Sequence, residues 1–555
     1  MSFYTNKLEI TVRKRRGGYY TPLNLARYLV KWGLRKETKR ILEPSCGDGN
    51  FIVAVSEYLK RHSKTGTENP VEIVAVELVK DELEKAIKRV AQVDCTDAKL
   101  EWLHNDFFTA YTDLIKGDGF DLIIGNPPFI RFQYFEDESR ELAFSHLRKA
   151  DYKPTKLANA WAAFVQLGIE LLRKGGCLAM IVPAELLQVK YAEPLRKRLA
   201  TQFDRIVVIS FEKLVFPEIQ QEVLLLLAEG KKENNNTLSD IHTLHLRDGA
   251  ELLDLDGLND TVVHVPAKHT RNGMKWTSLF MDECSFKALD EAEHASGLIA
   301  LGKLAQVDVG IVTGRNSYFI LDHSQRQELQ VSLLTIPIVG RTSALKSTCF
   351  NHGDFNNYVM RHPSYLLCLN GTDIIDFHEQ LLRYIELGEQ EGINCGYKCR
   401  IRKRWFDVPS IYTPDLFLFR QVHRYPLLVV NEIRATSTDT IHRVRVKTGV
   451  HAEKLAAIFF NSLTLAWAEV CGRSYGGGVL ELEPSEAEEL PIPYDSSIEI
   501  DVNKVDSLLR RGFPSEALDY VDNIVLKKHI GFDTAMIRNI RSGWEQLRDR
   551  RINRK

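Results

Sequence analysis

From Arg40 to about Gly230, short runs of β-branched and apolar residues alternate with stretches in which apolar positions return every three or four residues. The first pattern predicts strands, and the second predicts helices with one buried face. Strands are expected at Arg40 to Leu42, Val71 to Val76, Leu100 to His104, Phe120 to Ile124, Cys177 to Val182, Arg205 to Ser210 and Glu222 to Ala228. Helices fall between them, among others at Asp81 to Ala91 and Asn159 to Leu172. In the second of these Trp161, Phe164, Val165, Gly168, Leu171 and Leu172 recur at helical spacing. Arg173-Lys174-Gly175-Gly176 then reads as a helix stop, with cations near the negative end of the helix dipole and glycine just beyond it. Strand and helix in alternation imply an α/β domain whose mostly parallel sheet of seven strands is covered by helices on both faces.

The polar, asparagine-rich stretch Lys231 to Asp240 has no periodicity and marks the end of this pattern. A catalytic domain is therefore expected over 1–240, a connecting region over 241–300, and a mixed α+β domain with a helical tail over 301–555. A chain of 555 residues has room for two to four compact units, and with 44% hydrophobic and 26% charged residues it can bury a large core. Lys plus Arg number 73 against 74 Asp plus Glu, and this balance taken whole argues against a polyanionic partner. Divided by region it reads differently. Residues 233–300 carry 5 basic and 12 acidic side chains, whereas residues 395–450 carry 11 basic and 4 acidic ones. The basic stretch also holds Tyr397, Trp405, Phe406, Tyr412, Phe417, Phe419 and Tyr425. Such a mixture suits a nucleic-acid surface, or equally a solvated face over an aromatic core.

The longest apolar run, Val223 to Ala228, falls far short of a membrane span, and the N-terminus has no apolar core of a signal peptide. A cytoplasmic protein without a membrane partner is expected. Nine scattered cysteines suit reduced thiols better than a disulfide framework, and no second pair joins Cys395 and Cys399 at zinc-site spacing, so no metal is expected.

Candidate chemistry sits where the strands end. After the first strand comes Glu43-Pro44-Ser45-Cys46-Gly47-Asp48-Gly49-Asn50-Phe51, a glycine turn at the place where open α/β sheets hold nucleotides. Glu43 and Asp48 would repel a pyrophosphate, so a ligand without phosphates fits better. The next strand ends in Glu77, placed to accept hydrogen bonds from a ribose diol. The third ends in Asp106 and Phe107, an acceptor for an exocyclic amine beside a flat apolar ring. Together these three strand ends describe an adenosyl site.

The fourth strand, FDLIIG, stops abruptly in Asn126-Pro127-Pro128-Phe129. Two prolines stiffen the turn, and the amide oxygen of Asn126 and the carbonyl of Pro127 can both face one planar amine. Such an amine is a poor nucleophile because its lone pair is delocalised. Two acceptors that orient its hydrogens favour a more tetrahedral nitrogen able to attack an electrophilic methyl, with Phe129 stacked on the target ring.

With these motifs in this order, the chain resembles the adenine-N6 DNA methyltransferases of prokaryotic restriction-modification systems, in the gamma arrangement. The resemblance implies a seven-stranded class I methyltransferase (Rossmann-like) sheet with an N-terminal segment, followed by a C-terminal target-recognition domain. Gly17-Gly18-Tyr19-Tyr20-Thr21-Pro22 looks like the motif that closes over the methionine part of S-adenosyl-L-methionine. Glu43, Cys46, Gly47, Asp48 and Gly49 match the glycine loop, Glu77 the ribose-binding acid, and Asp106 and Phe107 the adenine-binding pair. Leu214-Val215-Phe216-Pro217 resembles the segment that supplies a second aromatic, Phe216, to a flipped base. Gly310 to Ile320, Asn431 to Arg434 and Ser474 to Pro484 look like parts of target-recognition domains.

The resemblance implies extrusion of an adenine from duplex DNA and methyl transfer to its N6 without a metal. Methylation would protect host DNA from a cognate restriction endonuclease. With roughly 16 residues before Gly17 and no acidic nuclease cluster, that endonuclease is expected to be a separate protein. Methylating each strand of a palindrome separately needs no dimer, so a monomer on the nucleoid is expected. The same tetrapeptide chemistry would serve an RNA adenine, a protein glutamine amide or another defence system. The long second half favours a sequence-specific DNA enzyme, whose target sequence the chain does not reveal.

Overall fold

The computed structural model describes residues 20–62, 70–93, 95–155, 158–213, 222–233, 237–254, 268, 275–475 and 477–553. Two compact units divide the chain. The first runs to Phe280 with two short later segments, and the second comprises Met281–Ser474 and Gly478–Ile552.

The first unit is built on β1 (Arg40–Glu43), β2 (Val71–Glu77), β3 (Ala98–His104), β4 (Phe120–Gly125), β5 (Leu172–Pro183), β6 (Phe203–Phe211), β7 (Val223–Lys231) and β8 (Asp240–Leu246). Their spatial order is β3-β2-β1-β4-β5-β7-β6-β8. β1 pairs in parallel with β2 on one side and with β4 on the other, so the winding reverses between β1 and β4 and opens a crevice at their carboxyl ends. β7 alone runs antiparallel, against both β5 and β6. Its run VLLLLA is entirely buried because the strand has neighbours on both edges and cover on both faces.

The helices that place the strand ends are α1 (Leu23–Gly33), α2 (Asn50–His62), α3 (Lys80–Ala91), α4 (Phe107–Leu114), α5 (Asp137–Lys149) and α6 (Ala160–Leu171). Packing on the sheet is close. Gly168 of α6 leaves room for Met180 and Ile123, with methyl carbons 3.6 and 3.7 Å from where its Cβ would lie.

The sheet has eight strands where seven were expected. Asp240–Leu246, at and beyond the polar stretch expected to end the domain, pairs in parallel with β6 over seven residues from Arg205↔Asp240 to Phe211↔Leu246. Its alternation DIHTLHL is that of an edge strand, with Ile241 and Leu246 buried. Buried Ser239 fastens the entry by donating to the carbonyls of Leu199 and Phe203 at 2.9 and 2.5 Å. The turn Trp276–Phe280 also belongs to this unit, since Thr243 Oγ1 donates to the Leu279 carbonyl at 2.9 Å. The compact unit thus continues through what the sequence presented as a connecting region, to Phe280. Arg173-Lys174-Gly175-Gly176 does follow the end of α6, but it lies inside β5 as a bulge. The β4–β5 register jumps from Phe120↔Leu172 to Leu122↔Cys177, and Gly175 takes φ +74° there.

The second unit is mixed α+β. A five-stranded sheet is ordered Ala305–Asp308, Ile441–Val446, Leu416–Phe419, Leu428–Asn431, Cys349–Phe350. A four-stranded sheet joins Ile320–Leu321, Tyr365–Leu367, Thr335–Val339 and Thr436–Ser437. A helical tail ends in Thr534–Ile552, which packs on Ser462–Cys471 and buries an ion pair between Arg551 and Glu469 at 2.6 Å. Among the described residues no single helix is long and apolar enough to cross a membrane.

Candidate active site

The glycine turn leaves β1 and enters α2 with two residues in left-handed backbone, Gly47 at φ +52° and Gly49 at φ +86°. They are required for different reasons. A Cβ on Gly49 would lie 2.8 Å from Ala86 Cβ, so α3 approaches the turn only because that side chain is missing. A Cβ on Gly47 would meet nothing within 4 Å, which means the turn faces open space there.

Glu77 at the end of β2 holds this conformation. Its Oε2 accepts from the Gly47 N–H at 2.9 Å and its Oε1 from the Val79 N–H at 2.8 Å. Each oxygen keeps a second lone pair for a further donor. Cys46 is buried, and its N–H donates to the Val76 carbonyl at 2.9 Å; burial pushes the thiol well above its ordinary range, so it is an inert packing group. Asp48 pairs with Arg89 and accepts from Asn50 Nδ2 at 3.0 Å. The same Asn50 Nδ2 donates to the Thr21 carbonyl at 3.0 Å and so ties the Thr21-Pro22 turn to the glycine turn. Thr21 is buried, Pro22 precedes α1, and Tyr20 donates to Glu82 at 2.7 Å. Of the N-terminal motif, Gly17 to Tyr19 lie outside the described residues.

Glu43 is only 1% exposed, and its Oε2 has no hydrogen-bond partner among the described residues. Burial, then repulsion by Glu77 and Asp48, raises this carboxyl well above the usual glutamate range. Burial is also the first cause that raises Glu77 and Asp48. Glu82 adds to the rise of both and Arg89 opposes it at Asp48, and carboxyls gathered around an open turn suit a cation better than an anion.

Asp106 caps α4, with Oδ1 accepting from Phe108 N–H at 2.7 Å and Thr109 N–H at 3.3 Å and Oδ2 accepting from Ser139 Oγ at 3.1 Å. Phe107 is buried, with one ring face stacked on Phe164 at 4.8 Å. Both residues of this pair thus have a structural task as well as the position expected of them.

Asn126, Pro127, Pro128 and Phe129 follow β4 directly, with the Asn126 side-chain oxygen shielded from solvent and Phe129 buried. Ser45 Oγ donates to the Asn126 carbonyl at 3.3 Å, which joins this turn to the glycine turn. Gly125 sits so near Pro44 and Glu43 that its Cβ would be 3.5 and 3.6 Å from their carbons. The crevice therefore brings the ends of β1, β2 and β4 together. Phe216 lies outside the described residues. Arg89, Asn50, Ser45 and Ser139 support the site without having been singled out for it; each belongs to a helix or turn whose pairing partner is distant in sequence.

In the second unit the basic stretch divides. Arg404 pairs with Asp407, Arg420 with Glu481 and Glu483, and Arg445 with Asp308. Arg443 is 2% exposed, donates to the carbonyls of Val309 and Ser410 at 2.9 and 2.6 Å, and stacks on Tyr412. Phe406 and Phe417 are core residues, and Trp405 packs on Tyr318. For Arg443, Phe406 and Phe417 the core reading of the composition is the right one, while Arg404, Arg420 and Arg445 have their charge met by carboxylates nearer the surface. The exposed cations lie elsewhere in the stretch, among them Lys398, Arg400 and Lys403. Among the described residues no group of His, Cys, Asp and Glu is arranged to hold a metal ion.

Residues 51–216 match the family described as Eco57I restriction-modification methylase, and residues 273–526 match the C-terminal domain of the type II methyltransferase M.Eco57I. The type II methyltransferase M.AccI of Acinetobacter calcoaceticus is 22% identical over 504 residues, 87% of this chain and 86% of that one. M.XamI of Xanthomonas campestris pv. amaranthicola is 24% identical over 497 residues, 86% of this chain and 85% of its own. A solved DrdV–DNA complex aligns with 84% of this chain and 55% of that one, at 12% identity and a TM-score of 0.48.

Proposed function

We infer that this chain, a restriction-modification methyltransferase with a C-terminal domain of the same family, methylates N6 of an adenine extruded from duplex DNA. The observation that carries the reading is the Asn126-Pro127-Pro128-Phe129 turn at the end of β4, bonded through Ser45 to the glycine turn in the crevice of the sheet.

The residues of that crevice fit S-adenosyl-L-methionine. The open side of Gly47, the buried and unpartnered Glu43 Oε2 and the acidic surroundings suit a cationic ligand without phosphates. Glu77 would take the ribose hydroxyls on its remaining lone pairs, the Thr21-Pro22 turn would cover the amino-acid end, and Asp106 with Phe107 would border the adenine. When bound, this cofactor supplies a methyl group on a positively charged sulfur.

The chain's own residues prepare the acceptor. Asn126 Oδ1 and the Pro127 carbonyl accept hydrogen bonds from the adenine amine and orient its lone pair out of the ring plane. Pro127 and Pro128 hold both acceptors without a change of backbone, and Phe129 offers an apolar face to the base. Extrusion of the base costs a few kcal/mol, recovered from stacking and pocket contacts.

A methyl-transfer assay with labelled cofactor tests the reading. Asn126→Ala is expected to lower incorporation into DNA by about 100-fold or more while duplex affinity stays within about 2-fold. Full activity in that variant would refute the role of this turn. Label appearing in RNA or protein, and not in DNA, would refute the substrate.

A further inference from the structure

Gly310 to Ile320, which resembles part of a target-recognition domain, and the basic stretch are separate in sequence. The structure brings them together. Gly310 has no room for any side chain, since its Cβ would fall 1.9 Å from the Thr438 carbonyl oxygen, and the Ile311 N–H donates to the Ser437 carbonyl at 2.7 Å. The chain then leaves the core as a loop. Thr313 Oγ1 donates to Asn316 Oδ1 at 2.6 Å and accepts from the Arg315 N–H at 3.2 Å, which gives the loop a closed, rigid turn.

Gly314, at φ +87°, is pressed against the short helix Tyr397–Arg400. A Cβ there would lie 3.1 Å from Cys399 Sγ and 3.1 Å from Lys398 Cβ. Arg402 clamps the two segments by donating to the Thr313 carbonyl at 2.7 Å, the Val312 carbonyl at 3.2 Å and the Trp405 carbonyl at 3.2 Å. The two segments are thereby joined. Arg315, Lys398, Arg400 and Lys403 are exposed on these joined segments, as are Tyr397 at 65% and Ile401 at 62% exposure. Arg404, Arg420 and Arg445 nearby in sequence have carboxylate partners, but these four cations have none among the described residues. Lys398 lies over the Tyr397 ring.

We propose that the Arg315 loop and the Tyr397–Lys403 segment together form the surface by which this unit docks on duplex DNA. Lys398, Arg400 and Lys403 contact phosphates, and Arg315 at the tip of the turn reads a base edge. Charge complementarity selects the occupant. Four cations without counter-ions repel one another in the free protein, and a polyanion relieves them. The exposed aromatic and aliphatic side chains between them match base and sugar surfaces. A turn held by a glycine without side-chain room, a hydroxyl and a clamping arginine keeps Arg315 in place without ordering cost on binding. The proposal rests on the DNA-methyltransferase reading.

Duplex binding by the full chain, measured at several salt concentrations, tests it together with methylation-sensitive sequencing of treated DNA. Lys398→Ala/Arg400→Ala/Lys403→Ala is expected to weaken binding to any duplex by about 10- to 100-fold. It should also make the slope of log affinity against log salt shallower by about 2 to 3. Arg315→Ala is expected to lose about 10- to 100-fold of discrimination between the target and a one-base mismatch. The exposed pair Lys527 and Lys528 serves as a control for bulk charge. Failure of either arm, or an equal loss from Lys527→Ala/Lys528→Ala, in a wild-type background that methylates DNA overturns this proposal and leaves the methyl-transfer reading standing. A wild type that neither binds nor methylates duplex DNA overturns both.

Discussion

Alanine at Gly47 and alanine at Gly49 are expected to fail in opposite ways, although the two glycines are two residues apart in one turn. At Gly49 the backbone is at φ +86°, which costs an L-residue about 1–2 kcal/mol. The new methyl would also stand 2.8 Å from Ala86 Cβ and 3.0 Å from Ala86 Cα, atoms fixed in α3 that cannot rotate away. Forcing the helix back adds overpacking of about 1–3 kcal/mol, so Gly49→Ala should destabilise by about 2–5 kcal/mol in total. At Gly47 the angle is +52° and no atom lies within 4 Å. The strain of about 1 kcal/mol is partly offset by the lower entropy of the unfolded alanine chain, so stability should change by less than about 1 kcal/mol. That methyl, however, projects into the space proposed for the cofactor. Calorimetric unfolding of the free protein and titration with S-adenosyl-L-methionine separate the two cases. Gly47→Ala should keep its melting temperature within a few degrees and lose cofactor affinity by about 10-fold or more. Gly47→Ala that binds cofactor like wild type would refute the turn as a cradle, and Gly49→Ala as stable as wild type would refute the helix-packing argument.

Removing one partner of the buried Arg551–Glu469 pair, both about 2% exposed, strands the other charge. Arg551→Met should therefore cost about 3–5 kcal/mol, whereas Glu469→Leu/Arg551→Met should recover more than half of that. Additive losses in a denaturation cycle would refute the pair. Glu43 predicts a pH dependence. Its carboxyl is raised by burial and by Glu77 and Asp48, so the native chain keeps a proton that the unfolded chain releases. Native stability therefore falls as pH rises from the ordinary glutamate range toward the raised value. Glu43→Gln, which cannot ionise, should match wild type near pH 4 and exceed it near pH 8 in urea denaturation without cofactor. A Glu43→Gln variant that loses stability relative to wild type as pH rises would contradict this account. A cationic ligand favours the ionised form, so cofactor affinity of the wild type should increase over the same interval.

Much of the candidate site's placement was readable in the chain because each of its segments is local. The glycine turn, Glu77, and Asn126 to Phe129 each end a short apolar strand, and each strand was recognisable from its own residues. In a parallel sheet such ends collect at one edge, so chain order carried the arrangement. What could not be read was non-local. Arg89 meets Asp48, Ser139 meets Asp106, and Ser45 meets the Asn126 carbonyl across separations of 33 to 81 residues. No spacing rule links such partners. The Gly175 region is legible as a break yet not as a bulge, since a bulge depends on the neighbouring strand's register.

Residues close together in the chain settled the strand and helix pattern, the position of the Asn126 to Phe129 turn and the acidic character of the crevice. All three follow from side chains within one element or one turn of each other. Long-range pairing, in contrast, put Asp240–Leu246 into the sheet, because an edge strand with polar alternation is recognised only by the partner it pairs with. Contacts made in the fold also set which cations of the second unit have partners. Arg420, Arg443 and Arg445 are anchored by carboxylates and carbonyls brought from elsewhere, and Arg404 by the distant Leu369 and Thr372 carbonyls as well as by nearby Asp407, whereas Lys398, Arg400 and Lys403 are exposed. Composition counts charge, but where a charge points is set by the folded neighbours that bury or expose it.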